Sequence, residues 1–215
     1  MEASILASTQ PRIIAFMNQK GGVGKTTTAV NLGAALAEAG QRVLMIDLDP
    51  QAHLPLHLGV DPDGVQRSVY DLLAHDDVSA AELLTQAGER LWLLPAEVNL
   101  AGVETEMAPK MATGQAQRAL ASKCAPLLTG KDGQRAYDFV IIDCPPSLGL
   151  LTINALIFAT EVMVPMQAHF LALQGLSKLL ETVSLIRQSF NPRLTVSGIV
   201  LCMFESQTIH AQAVI

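Results

Sequence analysis

The chain has 215 residues, half of them hydrophobic and only 16% charged, which suits one domain with a well-buried core and argues against a disordered chain. Its formal net charge of -6 speaks against a domain that grips nucleic acid with its whole surface, so any such contact must be local. Three scattered cysteines, Cys124, Cys144 and Cys202, offer no disulfide framework or metal-ligand spacing and fit a reducing compartment.

Aromatic residues are only 4%, so the core must be built from Leu, Val, Ile and Ala, as in doubly covered parallel strands. The start, MEASILASTQ, lacks a secretory leader pattern, and no apolar run approaches the roughly 18 residues of a membrane span. Residues 1–10 read as an N-terminal extension and 11–215 as a single domain. A first strand is predicted at 13–17, then a glycine-rich loop and a helix with Leu32 and Leu36 on one face, stopped by Gly40. A second strand at 43–46 runs into Asp47-Leu48-Asp49-Pro50. Pro55, Gly59, Pro62 and Gly64 break up residues 51–78 into loop and short helix.

A third strand is predicted at 91–94, closed by Pro95. Residues 99–130 read as interrupted helix, with a loop at 129–133. A fourth strand at 139–142 ends in Asp143-Cys144-Pro145-Pro146. Then come a helix near 150–159, a strand at 161–165, a helix at 173–189 and a last strand at 195–203. The long helix spaces Leu176, Leu179, Leu180 and Val183 along one stripe. Strands alternating with helices predict an α/β fold with a mostly parallel sheet.

The segment KGGVGKTT, Lys20, Gly21, Gly22, Val23, Gly24, Lys25, Thr26 and Thr27, sits between strand and helix, where unpaired amides attract an anion. Its glycines let the backbone approach phosphate oxygens. Lys25 supplies charge for the terminal phosphates, and the Thr26 hydroxyl is placed to bind Mg²⁺. The usual GxxxxGK[ST] pattern needs glycine at position 19, but this chain has Gln19 and adds a second lysine, Lys20. A lysine there is predicted to reach across a dimer interface to the neighbouring nucleotide, as an arginine finger does.

Ligands in open parallel sheets gather at the carboxyl ends of strands, where Asp47, Asp49 and Asp143 stand. Asp143, after four apolar residues, has the Walker B arrangement and is expected to orient metal-bound water. Asp47 is expected on the metal side, and Asp49 to position the hydrolytic water. Cys144 reads as a small buried residue. His53, His57, His75, His169 and His210 read as structural or solvated.

NQKGGVGKTTTAVNL at 18–32, RVLMIDLDPQ at 42–51, YDFVIIDCPPSLGLLTINAL at 137–156 and LQGLSKLLETVSLIRQSFNP at 173–192 resemble the ParA/MinD family of deviant-Walker ATPases, closest to its ParA partitioning branch. The resemblance implies a P-loop NTPase three-layer sandwich with helices on both faces of the sheet. It implies an ATP- and Mg²⁺-dependent homodimer with slow hydrolysis, Lys20 as signature lysine, Lys25 and Thr26 on phosphate and metal, and Asp49 as catalytic aspartate. It further implies a ParB-like stimulating partner, non-specific DNA binding, no membrane, and a cytoplasmic, nucleoid-associated protein.

Family sequences usually continue past this end, so the resemblance implies a missing C-terminal part carrying adenine-contacting and basic residues. Gln207 stands where many relatives have arginine, and Ala52-His53 replaces the commoner glycine-asparagine. A MinD-like membrane ATPase would need a C-terminal amphipathic helix, and a redox or metallochaperone relative a cysteine pair. An ATPase positioning another cargo is the remaining alternative.

Overall fold

The apolar runs form strands and the stretches between them helices. The computed structural model describes residues 10–61, 64–130, 132–167 and 170–204. In it β1 (Arg12–Phe16) leads through the glycine loop to α1 (Lys25–Glu38), β2 (Val43–Asp47), α2 (His53–His57) and α3 (Val69–Ala74). There follow β3 (Thr85–Gly88), β4 (Leu91–Leu94), α4 (Val103–Met111), α5 (Gln115–Cys124) and β5 (Phe139–Asp143). The described chain closes with α6 (Leu150–Phe158), β6 (Glu161–Gln167), α7 (Phe170–Ser189) and β7 (Thr195–Cys202). The expectations for residues 1–9, His169, Gln207, His210 and the tail to Ile215 lie outside the described residues.

These strands make one sheet in the order β3-β4-β2-β5-β1-β6-β7, parallel except at β3–β4. Sequence reading placed no strand at 85–88. Thr-Gln-Ala-Gly has no apolar alternation, and β3 exists because it pairs antiparallel with β4 as a short edge. At the other edge, no residue of β7 is buried.

Successive side chains of a strand point to opposite faces, and that divides the core. Ile13, Ala15, Leu44, Ile46, Val140 and Ile142 join a large cluster with residues of α3, α4, α5, α6 and α7. Ile14, Phe16, Val43, Met45 and Ile141 join a smaller one that includes Ala29 of α1. Helix, sheet and helix thus form three layers.

Two features seat α1. Gly33 faces the sheet, where a Cβ would stand 2.8 Å from Met45 Sδ and 3.5 Å from Ile141 Cδ1, so the helix lies close on β2 and β5. Gly40, at φ +85, ends it. Its N–H donates to the Ala37 carbonyl and that of Gln41 to the Leu36 carbonyl, a Schellman closure. On the opposite face the buried Asn154 amide spans α5, accepting from Leu120 N–H and donating to the Ala116 carbonyl. Asn191 donates to the carbonyls of Leu156, Ile157 and Ala159, closing the C-terminal end of α6.

Candidate functional site

Sheet register assembles the site. β1 pairs with β5 at Phe16↔Asp143, and β5 with β2 at Asp47↔Asp143, so both aspartates stand in one row at the carboxyl edge. Alternating from Ile141 and Met45, which pack with α1, both carboxylates turn to the α1 face. Leu48 and Cys144, one residue further on, enter the opposite cluster. Cys144 is therefore a packing residue, and burial pushes its thiol pKa up. From β1 the chain crosses to β2 on one side, while β5 crosses over β1 to β6 on the other. The crevice beyond β1 is thus the switch point of the sheet.

The glycine loop fills that crevice. Val23 is buried and anchors it, while Gly22 and Gly24 take φ +69 and +90, values that disfavour any residue with a Cβ. At Gly24 a Cβ would also stand 3.2 Å from Cys202 Sγ. Gly24 offers α1 no side-chain cap, and the first turn holds no acid, so its amides are left to an external anion. Lys25 is buried, with Nζ donating to the Lys20 carbonyl at 3.3 Å. Burial lowers its pKa, against the opposing pull of Asp143 and Asp49. Lys20 is exposed. Its N–H donates to Asn18 Oδ1 at 3.0 Å and its ammonium to Gln167 Oε1 at 3.3 Å. Thr26 is half-buried and Thr27 exposed.

The three aspartates differ in what they hold. Asp143 is 1% exposed, and burial raises its pKa to about 6. The Thr26 hydroxyl lies near enough to favour its charged form, yet neither carboxylate oxygen has a partner in hydrogen-bond geometry. A buried carboxylate without partners beside a hydroxyl is an oxygen donor set that fits Mg²⁺. Among the described residues no group of three or more His, Cys, Asp or Glu forms a metal cluster. A cation held by Thr26 and Asp143 would thus take its other ligands from phosphate and water.

Asp47 is fully buried, and its pKa is raised by burial and then by Asp143. Its Oδ1 accepts the Asp49 N–H at 2.9 Å and its Oδ2 the Leu54 N–H at 3.3 Å. It therefore braces the turn that carries the half-buried Asp49. Ala52 closes that turn, its N–H donating to the Asp49 carbonyl at 2.9 Å. It does so at φ 50, ψ 40, a left-handed conformation that strains a residue with a Cβ by about 1–2 kcal/mol. The residues singled out in the sequence, Lys20 to Thr27, Asp47, Asp49 and Asp143, all lie at this one edge. Sequence reading did not single out Asn18, Gln167 or Cys202. Gln167 and Cys202 are register partners at the ends of β6 and β7, and Cys202 Sγ lies 3.6 Å from the Thr28 hydroxyl. The available signal was position, since each closes an apolar strand at the carboxyl edge.

Residues 11–196 match the family profile described as an AAA domain. The chain is 44% identical over 199 residues to the sporulation initiation inhibitor protein Soj of Bacillus subtilis, spanning 92% of this chain and 74% of Soj. It is 43% identical over 209 residues to the chromosome partitioning protein ParA of Myxococcus xanthus, spanning 97% and 70%. A crystal structure described as cobyrinic acid a,c-diamide synthase from Mycobacterium smegmatis, with bound ATP analog and magnesium, superposes with a TM-score of 0.84. That pair is 44% identical over 95% of this chain and 80% of the other.

Two predictions come from this geometry. Ala52→Gly removes the left-handed strain of about 1–2 kcal/mol but adds unfolded-chain entropy worth about 0.4–1 kcal/mol. A net gain of roughly 1 kcal/mol should appear as a higher urea midpoint, and a lower midpoint would refute the strain. Asp143, with its pKa raised from 3.8 to about 6 on folding, contributes stability that is present below the unfolded value and lost as pH rises to about 6. The loss totals about 3 kcal/mol. The stability difference between Asp143→Asn and the parent, measured without nucleotide, should therefore grow from pH 4.5 to 6 in favour of the variant and then level off. A pH-independent difference would contradict the burial argument.

Proposed function

The chain belongs to the ParA/MinD family of P-loop ATPases, and on that premise we propose a Mg²⁺-ATP-dependent dimer that acts in chromosome or plasmid partitioning. Residues 11–215 act as one ATPase domain in this reading. The observation that carries it is the pocket in which the uncapped start of α1, the buried Lys25 and the unpartnered Asp143 meet. Amides of the Gly21–Thr27 loop receive the phosphates, and Lys25 neutralises them from inside the loop. Thr26 and Asp143 hold Mg²⁺, which when bound offsets charge developing on the phosphoryl oxygens. Asp47 serves the metal side through the turn it braces, and Asp49, on that turn, orients the attacking water.

Lys20 stands exposed at the rim, its carbonyl accepting from Lys25 while its ammonium lies outside the buried pocket against Gln167. In the proposed sandwich it meets the partner's nucleotide and stabilises transition-state charge. Leu56, Val98 and Leu148 are 56%, 74% and 36% exposed and follow β2, β4 and β5 at the same carboxyl edge, an apolar rim that supports pairing of two copies through this face. Slow turnover, a ParB-like stimulating partner, ATP-switched DNA binding and a cytoplasmic, nucleoid-associated location are carried over from the family. No helix among the described residues is long and apolar enough to cross a membrane.

The test is phosphate release from ATP and Mg²⁺ with no second substrate. Lys20→Ala should bind ATP as a monomer but lose dimerisation and on the order of 10³ or more in turnover; turnover at the parent rate would remove Lys20 from the interface role. Asp49→Ala should retain the ATP-bound dimer and rarely release phosphate, measured by sedimentation and single-turnover assay. The parent, with ATP, should be retained on DNA in a way that weakens steeply with salt. Retention on anionic vesicles instead would favour the MinD-like alternative.

A further inference from the structure

The far wall of the phosphate loop comes from the ends of β6 and β7, and one side chain there touches two functional positions. Gln167 accepts the Lys20 ammonium through Oε1 at 3.3 Å and donates through Nε2 to the Gly22 carbonyl at 3.4 Å. The same Nε2 lies 3.4 Å from Met203 Sδ. The base of the arrangement is fixed. Asn18 donates to the Pro165 carbonyl at 2.7 Å and accepts the Lys20 N–H at 3.0 Å, which pins the Lys20 backbone to β6. Cys202, the register partner of Gln167, packs against Gly24 and Thr28.

With its backbone pinned, Lys20 retains freedom only in its side chain. A lysine stem is flexible and its ammonium carries three donors. In the present arrangement that ammonium is folded back onto its own chain. In the interface role given to it above, the stem extends away from its own chain toward a neighbouring subunit's phosphate, and the bond to Gln167 is released as the dimer forms. We propose that Gln167 is a positioning residue that parks Lys20 in cis and thereby sets the protein concentration at which the ATP-bound dimer assembles. This rests on the interface role given to Lys20 above. The neutral amide suits the task, since it holds the ammonium by a single partly exposed hydrogen bond, strong enough to orient it and weak enough to release it.

Two near-isosteric variants test this, each at saturating ATP and Mg²⁺ so that nucleotide affinity drops out. Gln167→Met removes the acceptor and should lower the dimer dissociation constant by about two- to tenfold, the range one such bond carries. Gln167→Glu replaces the amide with a carboxylate, strengthens the hold on Lys20 and should raise it by a similar factor. Sedimentation equilibrium reads the constant, and thermal melts compare the folded state of each variant. A purely structural role would move both variants in the same direction, and that result, or no movement in either, overturns the proposal. Lys20→Ala by itself, in the same assays, separates the two readings. If Lys20→Ala alone dimerises and turns over like the parent, the interface role fails. If Lys20→Ala is defective while both Gln167 variants behave like the parent, only the parking role fails.

Discussion

The parallel register across β2, β5 and β1 is the constraint on which the rest depends. Pairing Asp47, Asp143 and Phe16 in one row puts two carboxylates on the face that α1 covers, beside the uncapped start of that helix. A slip of one residue in either pair would turn a carboxylate into the apolar cluster on the opposite face. The register is itself protected by burial, because Val43, Leu44, Met45, Ile46, Val140, Ile141 and Ile142 are all fully enclosed.

That placement keeps charge out of water with few partners. Burial pulls the Lys25 pKa down and the Asp143 pKa up to about 6, so without nucleotide each disfavours its own charged form. Asp47 escapes part of this by accepting two backbone N–H groups. Asp143 does not, and its bare oxygens mark where compensation must come from outside. A phosphate chain with a divalent cation carries both charges this pocket lacks, which is the physical sense in which the site fits Mg²⁺-ATP.

The same scaffold carries more than one named activity among its relatives. Soj and ParA are named for sporulation and partitioning, and the structure superposing at a TM-score of 0.84 is described as a diamide synthase. Phosphate binding belongs to the scaffold, while what each relative does with it lies in surfaces outside the loop. In this chain Leu56, Val98, Leu148 and Lys20 stand exposed at the carboxyl edge, and the net charge of -6 confines any DNA contact to a patch.

The glycine loop, the two carboxylate-tipped strands and the alternation that predicts a parallel sheet were legible in the sequence, because loop chemistry and buried strands depend on residues adjacent along the chain. The weakly patterned β3 was not, since its only reason to be a strand is the β4 edge it meets. Nor could spacing show how Asp47 and Asp49 are held. Only the folded turn shows that the first is spent on backbone amides and the second rides on the brace it provides. Ala52 reads as an ordinary substitution until its φ of 50 is known. Gln167 stands 147 residues from Lys20 in the chain, and the pairing of β6 beside β1 alone brings them together. Composition and local order determined which chemistry the chain could hold. The tertiary structure decided which atoms are already satisfied and which are left to a ligand, because hydrogen-bond satisfaction is set by neighbours in space.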